Sequence, residues 1–257
     1  PLTIDSIGNH WNQESIRRPK GYPHYHWLQT EHGIGEVVIG ETRLSLPEKT
    51  GILIAPLISH SYGSLQEAWT TSFITFSGSL EADISKITGA KHFIPVTDNG
   101  SFSFQSWINS TIAFHEAGQT DPVQLSISCY AFLMNINRLQ NYPDMKEQPL
   151  YRNFVAPVIK EIETNYKEDI KVQELAAMVF ISSQYLNRLF QQFLGCGVYR
   201  YLTNYRLGKA KELLANRPGL AISQVSFLTG YHDTSHFIAM FKSVMGCTPL
   251  EFRQLHR

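Results

Sequence analysis

A surplus of one charge, a long apolar run and a closely spaced cysteine pair are all missing from this chain of 257 residues. No wholly apolar stretch exceeds seven residues, the length of Ile52–Ile58 with its Pro56, far short of the roughly 20 residues that a membrane-spanning helix needs. Nothing near Pro1 has the basic-then-apolar order of a secretion signal, so a cytoplasmic protein with no membrane partner is expected. The three cysteines, Cys129, Cys196 and Cys247, are odd in number and far apart, which argues against a disulfide framework or a cysteine-rich metal knuckle. The sequence also lacks a glycine-rich phosphate loop, a serine elbow and a paired-carboxylate motif. No enzyme and no cofactor are expected on that ground.

What remains is a chain with 43% hydrophobic and 12% aromatic residues, enough to build one or two cores. Its zero net charge is a cancellation. Residues 1–149 carry 9 Lys+Arg against 14 Asp+Glu, whereas residues 150–257 carry 13 against 8. A basic second part suits a polyanion partner only if a motif accompanies it. The first part, to about Pro95, reads as short strands rich in Val and Ile, such as Gly35–Ile39, Arg43–Leu46 and Gly51–Ile54, separated by turn residues. After Asp98-Asn99-Gly100 the period becomes helical, and helices are expected at roughly 101–117 and 121–141. The second of these has two apolar stripes: Val123, Ile127, Tyr130 and Met134 on one side, and Leu125, Cys129, Phe132, Leu133, Ile136 and Leu139 on the other. A polar, proline-containing stretch follows, so the expected division is 1–141, a linker at 142–150, and a helical domain at 151–257.

The helical part repeats itself. Phe190 to Cys196 (FQQFLGC) returns 51 residues later as Phe241 to Cys247 (FKSVMGC), with Tyr201 and Phe252 at matched places downstream. Each block is preceded by an apolar helix, Val172–Phe180 or Ile222–Thr229, and by capping candidates, Ser182-Ser183 or His232-Asp233-Thr234. Each unit therefore reads as helix, tight turn, helix, and the 19-residue helix Val198–Asn216 joins the two. Two helix-turn-helix units on a basic domain suit the DNA major groove. On the first reading helix, Leu186, Leu189, Phe190 and Phe193 face inward and leave Gln184, Asn187, Arg188 and Gln191 outward. These are the side-chain types that read adenine and guanine edges. On the second, Phe237, Met240 and Phe241 face inward, while Ser235, His236, Ile238, Ala239 and Lys242 flank or face out. Ser183 and Thr234, at the two helix starts, complete the candidate contact set. The second face is chemically poorer, so it is expected to give more backbone contact and less discrimination.

Residues 166–255 resemble the DNA-binding domain of the AraC/XylS family of transcription regulators. The resemblance rests on Leu175-Ala176, Tyr185 to Phe190 (YLNRLF), Gly195, Arg206 to Ala210 (RLGKA), Gly230 to Asp233 (GYHD), His236-Phe237, Gly246 to Pro249 (GCTP) and Phe252-Arg253. Phe180 stands where that family has a turn glycine, Ser226 where it has alanine, and Ala239 where some members have a base-reading arginine. The first part is similar, more loosely, to the family's cupin-like sensing barrel, through Glu31–Glu36, Gly51 to Pro56, His60-Ser61-Tyr62 and Trp69–Gly78. The resemblance implies an α+β protein: a cupin-like β-barrel with two following helices, then an all-α domain with two helix-turn-helix units. It also implies double-stranded DNA, RNA polymerase, a second copy of the chain and a small effector, often a sugar, as partners. It implies activation of genes as the outcome. His24, His26, His60 and Trp69 are the candidate effector-pocket residues.

One pattern offers a different reading. His24-Tyr25-His26, Glu31 and His60 follow the order in which catalytic cupins present metal ligands, so a metal-dependent cupin enzyme fused to a DNA-binding domain is the alternative, although no glycine lies between Pro56 and His60. The strand register is open at this point. A shift by one residue would exchange His24/His26 for Tyr25/Trp27 as the inward pair, and Tyr25, Trp27, Tyr62 and Trp69 serve either as sugar-stacking rings or as core.

Overall fold

The computed structural model describes residues 2–89, 91–98, 100, 102–139 and 148–255. The chain divides into two compact units, Pro1–Tyr142 and Pro143–Arg257. Most of the linker expected at 142–150 lies outside the described residues, as do the expected helix residues 101, 140 and 141.

The first unit contains β1 (Leu2–Asn12), β2 (Ile16–Arg18), β3 (Tyr25–Ile39), β4 (Thr42–Leu46), β5 (Thr50–Ile54), β6 (His60–Gly78), the short α1 (Ile84–Ile87), β7 (Phe93–Thr97), α2 (Phe104–Glu116) and α3 (Pro122–Leu139). Among the described residues the strands form one seven-stranded antiparallel sheet of order β1-β6-β3-β5-β7, with β2 on β6 and β4 on β3. The expected runs lie inside β3, β4 and β5, but β3 starts earlier, at Tyr25. Residues 25–30 are buried on both faces and so lack the alternation that marks a half-exposed strand. β3 and β6 are long enough to change partners along their length, and register shifts between Thr30/His32 and Gly33/Gly35 bend the pair. Glycine is required at the bend: Gly33 has φ +85°, and a Cβ on Gly35 would fall 2.1 Å from the Trp69 ring.

One face of the sheet is covered by helices. Tyr25, Trp27, Leu53, Ile74 and Phe76 pack with Phe104, Ile108, Phe132, Leu133 and Ile136, and the Trp27 ring lies 4.8 Å from Phe104 and 5.5 Å from Phe132. The inner stripe of α3 is the expected one. Its outer stripe, Val123, Ile127, Tyr130 and Met134, is 42–63% exposed.

The second unit contains α4 (Ala156–Asn165), entered through a π-turn at Tyr151–Val155, then α5 (Val172–Met178), α6 (Ser183–Leu194), α7 (Val198–Asn216), α8 (Ile222–Leu228), α9 (Thr234–Met245) and α10 (Pro249–Leu255). It has two cores, and α7 belongs to both. Val198, Tyr201 and Leu202 join the core of α4, α5 and α6, while Leu207, Ala210 and Leu214 join that of α8, α9 and α10. The sequence repeat is a structural repeat. Ser182 caps α6 and Asp233 caps α9. Both helices end on a left-handed glycine, Gly195 (φ +68°) and Gly246 (φ +80°). Phe190 meets Tyr201 edge-on at 5.7 Å, and Phe241 meets Phe252 in the same way at 5.6 Å. Arg206 ties the two halves by donating to the carbonyls of Tyr166 (2.7 Å) and Glu168 (2.8 Å) while its guanidinium lies over Tyr231.

The turns of the two units close on different residues, and the second is one residue longer, Thr229 to Asp233 against Val179 to Ser182. Gly230 closes the second at φ +81°, whereas Phe180 closes the first at φ +58° with 94% of its surface exposed. A side chain in the left-handed region costs about 1–2 kcal/mol, and this one recovers little by packing. Phe180→Gly should therefore stabilise the helical unit by about 0.5–1 kcal/mol, net of the extra freedom glycine gives the unfolded chain. The check is an upward shift of the denaturant midpoint read by helical circular dichroism; a downward shift would show that the turn is not strained.

Candidate DNA-reading faces and effector site

On α6, Leu186, Leu189, Phe190 and Phe193 are buried, and Gln184, Arg188 and Gln191 are exposed, as expected. The Arg188 guanidinium lies 4.8 Å over the Tyr185 ring, which orders it without neutralising it. Gln191 uses its Nε2 to donate to the Gly195 carbonyl at 3.1 Å. Asn187 departs from its expected outward role. It is half-buried, its Nδ2 donates to the Ser183 carbonyl at 2.9 Å, and its Oδ1 accepts from the Val198 amide at 3.1 Å. Gly197, the N-cap of α7, has no side chain to cap with. Asn187 supplies that cap from 11 residues upstream. Helical periodicity puts a residue on a face, but it does not show a partner on the next helix.

On α9, Ser235, His236, Ala239 and Lys242 are exposed, while Thr234 is half-buried. Ile238, expected to flank the reading face, is half-buried against the second core, and Met240, expected inward, is only half-buried. The exposed face of α9 is accordingly small and short of bidentate groups, whereas that of α6 offers two amides and a guanidinium.

The covered face of the sheet settles the register left open by sequence. Tyr25 and Trp27 point under α2 and α3, so His26 points to the opposite, inner face. There its ring lies 6.3 Å from His60 and 6.1 Å from Tyr62, although β3 residue His26 pairs in register with Thr75, near the far end of β6 from His60. Ring contact between residues so far apart in the ladder means that the sheet curls over its inner face. Arg18 is the cross-strand partner of His60, and its guanidinium lies 4.2 Å over Tyr22 and 5.9 Å over Tyr62. Arg18 and Tyr22 were not among the sequence candidates; the only signal was their nearness to His24 and His26 in the chain.

The structure separates the four candidate effector residues. His26 (3% exposed) and His60 (4%) come together. His24 precedes β3, is half-buried, and pairs with Glu81 at 3.2 Å. Trp69 is framework: its Nε1 donates to Thr30 Oγ1 at 2.8 Å, and Thr30 donates on to the Leu46 carbonyl. Its ring reaches the cluster only by an edge contact with Tyr62 at 6.3 Å. Glu31, the carboxylate of the metal-like order, instead bonds His10, Ser72 and Gln105. His24, His26, Glu31 and His60 thus do not form one ligand set, and among the described residues no three His, Cys, Asp or Glu side chains are placed to hold a metal.

Burial holds His26 well below the usual histidine range, and Arg18 and His60 add to the effect. His60 is pushed down to about 4, mainly by burial and secondarily by Arg18, against the opposing pull of the Ile58 carbonyl. A histidine whose folded pKa is depressed stabilises the fold above its unfolded pKa and loses that contribution as pH falls. His60 alone should therefore cost the sheet unit about 3 kcal/mol between pH 6.5 and pH 4. Urea unfolding across that window should show the fall, and His60→Gln should flatten it; an unchanged slope would contradict the assignment.

Residues 3–131 match the model of the AraC-like ligand binding domain, and residues 175–255 match a helix-turn-helix domain model. The chain is 26% identical over 227 residues to the Msm operon regulatory protein of Streptococcus mutans, covering 86% of this chain and 81% of that protein. It is 24% identical over 250 residues to the probable transcriptional regulator LumQ of Photobacterium leiognathi, covering 93% and 94%. The crystal structure of ToxT from Vibrio cholerae shares the fold, with a TM-score of 0.50 at 12% identity over 99% of this chain and 98% of that one. No helix among the described residues is long and apolar enough to cross a membrane. With a ligand-binding model spanning half the chain and a helix-turn-helix model most of the rest, the protein belongs to the AraC family of transcriptional regulators.

Proposed function

We propose that the chain binds a bipartite DNA site with α6 and α9 in successive major grooves, and that a small effector held on the inner face of the sheet controls this binding and activates transcription. The observation that carries the reading is the duplicated construction of the two helical units, with matching caps, glycine ends and aromatic contacts around one shared helix. α6 supplies most of the base discrimination through Gln184, Arg188 and Gln191, and α9 supplies Lys242 as a phosphate contact. The effector is a polar molecule that the inner-face rings can stack on, with carbohydrates as the first class to consider. The exposed stripe of α3 makes the contact with a second copy of the chain, and RNA polymerase is the partner through which activation works. An effector acts only through different affinities for two arrangements of the protein that differ in DNA competence.

Arg188→Ala should weaken the specific complex by about 1–3 kcal/mol and relax preference at one base pair, whereas Lys242→Ala should weaken all sequences alike. Asn187→Ala should instead lower the melting temperature of the free protein, because it uncaps α7. Competition binding against single-base operator variants decides the first two, and a footprint limited to one groove, rather than two about 34 Å apart, would overturn the bipartite reading. For the dimer, Ile127→Glu should convert a dimer to a monomer in light scattering. A wild-type chain that stays monomeric at every concentration, with and without DNA, would refute that contact.

A further inference from the structure

The inner-face cluster has an imbalance that specifies its ligand. Arg18 Nη1, His26 Nδ1 and His60 Nε2 are all buried and have no hydrogen-bond partner. Among the described residues no carboxylate lies within ion-pair distance of Arg18, whose company is the faces of Tyr22 and Tyr62 and the two imidazoles. Arg18 as a whole is half-buried, but its Nη1 is buried with an open N–H and no counter-charge beside it, which is costly unless something anionic binds there. His60 adds a second requirement. Its Nδ1 donates to the Ile58 carbonyl at 2.7 Å, which leaves the buried Nε2 as a bare acceptor. A carboxylate oxygen cannot donate to that lone pair; a hydroxyl group can. Arg18 and His60 are directly opposed across β2 and β6, so both demands fall on one small molecule. The same guanidinium opposes a metal ion at the paired imidazoles.

Resting on the reading of this unit as the effector domain, we propose that the effector is a hydroxylated organic acid, its anionic group on Arg18 and a hydroxyl donating to His60 Nε2, with the rings of Tyr22 and Tyr62 beside its body. A sugar acid and a hydroxylated aromatic acid both meet these demands, and so does a sugar phosphate. A neutral sugar leaves Arg18 uncompensated, and an acid without a hydroxyl leaves His60 unmet.

Thermal unfolding and titration calorimetry of the full chain test this with D-glucuronate, 4-hydroxybenzoate and glucose 6-phosphate, set against D-glucose, phenol and benzoate. At least one of the three hydroxylated anions should raise the melting temperature by several degrees, and its neutral or hydroxyl-free counterpart should bind at least tenfold more weakly. Glucuronate against glucose 6-phosphate separates a carboxylate from a phosphate. Arg18→Gln should abolish the anion's advantage and, without ligand, should melt at or above the wild-type temperature, because it removes a half-buried positive charge that has no counter-charge within ion-pair distance. A purely structural arginine would lower that temperature. Arg18→Lys should keep part of the anion selectivity and guards against a folding failure in Arg18→Gln. Equal binding of the neutral counterparts, survival of the anion effect in Arg18→Gln, or no response to any of the three hydroxylated anions would overturn the proposal. A neutral compound that shifted DNA affinity would overturn it while leaving the effector reading intact. A hydroxylated anion that bound through Arg18 but never altered DNA affinity would uphold the site and overturn the effector reading.

Discussion

The DNA-reading half depends on one helix serving two cores. α7 gives its first turns to the core around α6 and its later turns to the core around α9, so neither core is complete without it. Nineteen residues of helix span roughly 28 Å, and a helix packed along its length does not stretch. The separation and orientation of α6 and α9 are therefore consequences of hydrophobic packing, set before any DNA is met. Arg206, placed in the middle of α7, adds polar anchors to the Tyr166 and Glu168 carbonyls. Asn187 closes the other end of the arrangement by capping α7 from α6 itself. A residue of the reading helix thus belongs to the scaffold that aims it.

The sheet unit separates its two roles by face. The face under α2 and α3 is packed with aromatic and aliphatic side chains, and burial there supplies stability at about 25 cal/mol per Å² of apolar surface. The inner face places Arg18, His26 and His60 among aromatic rings, with buried polar atoms left unmatched. On the proposed reading these are the atoms that an effector satisfies, and the same desolvation that costs stability would strengthen each hydrogen bond a ligand made there. The strand bend at Gly33 and Gly35, with the Trp69 ring seated over Gly35, holds the curl that brings His26 and His60 together.

The charge asymmetry along the chain follows the same division. The basic surplus lies in the helical half, where Arg188 and Lys242 are exposed, and long-range attraction to a polyanion begins there. The acidic surplus lies with the sheet half, where Glu31 is drawn into a local network with His10, Ser72 and Gln105 rather than into the inner face. That placement leaves Arg18 without an acidic neighbour within ion-pair distance among the described residues.

The sequence by itself determined the features that rest on local periodicity. The strand runs at Gly35–Ile39, Arg43–Leu46 and Gly51–Ile54, the two stripes of α3, the repeat at Phe190 and Phe241, the capping clusters Ser182-Ser183 and His232-Asp233-Thr234 and the full extent of α7 are readable from spacing, because each depends on residues close together in the chain. Only the tertiary structure decided what depends on partners distant in sequence. The face of β3 that holds His26 was set by which side α2 and α3 cover. Trp69 became framework because Thr30 lies across the bend to take its N–H. Asn187 became a cap because Gly197 has no side chain, and Arg18 entered the inner-face cluster because β2 pairs with β6. Long-range pairing and burial on both faces leave no periodic trace in a linear sequence, so α6 and α9 were legible and the inner-face cluster was not.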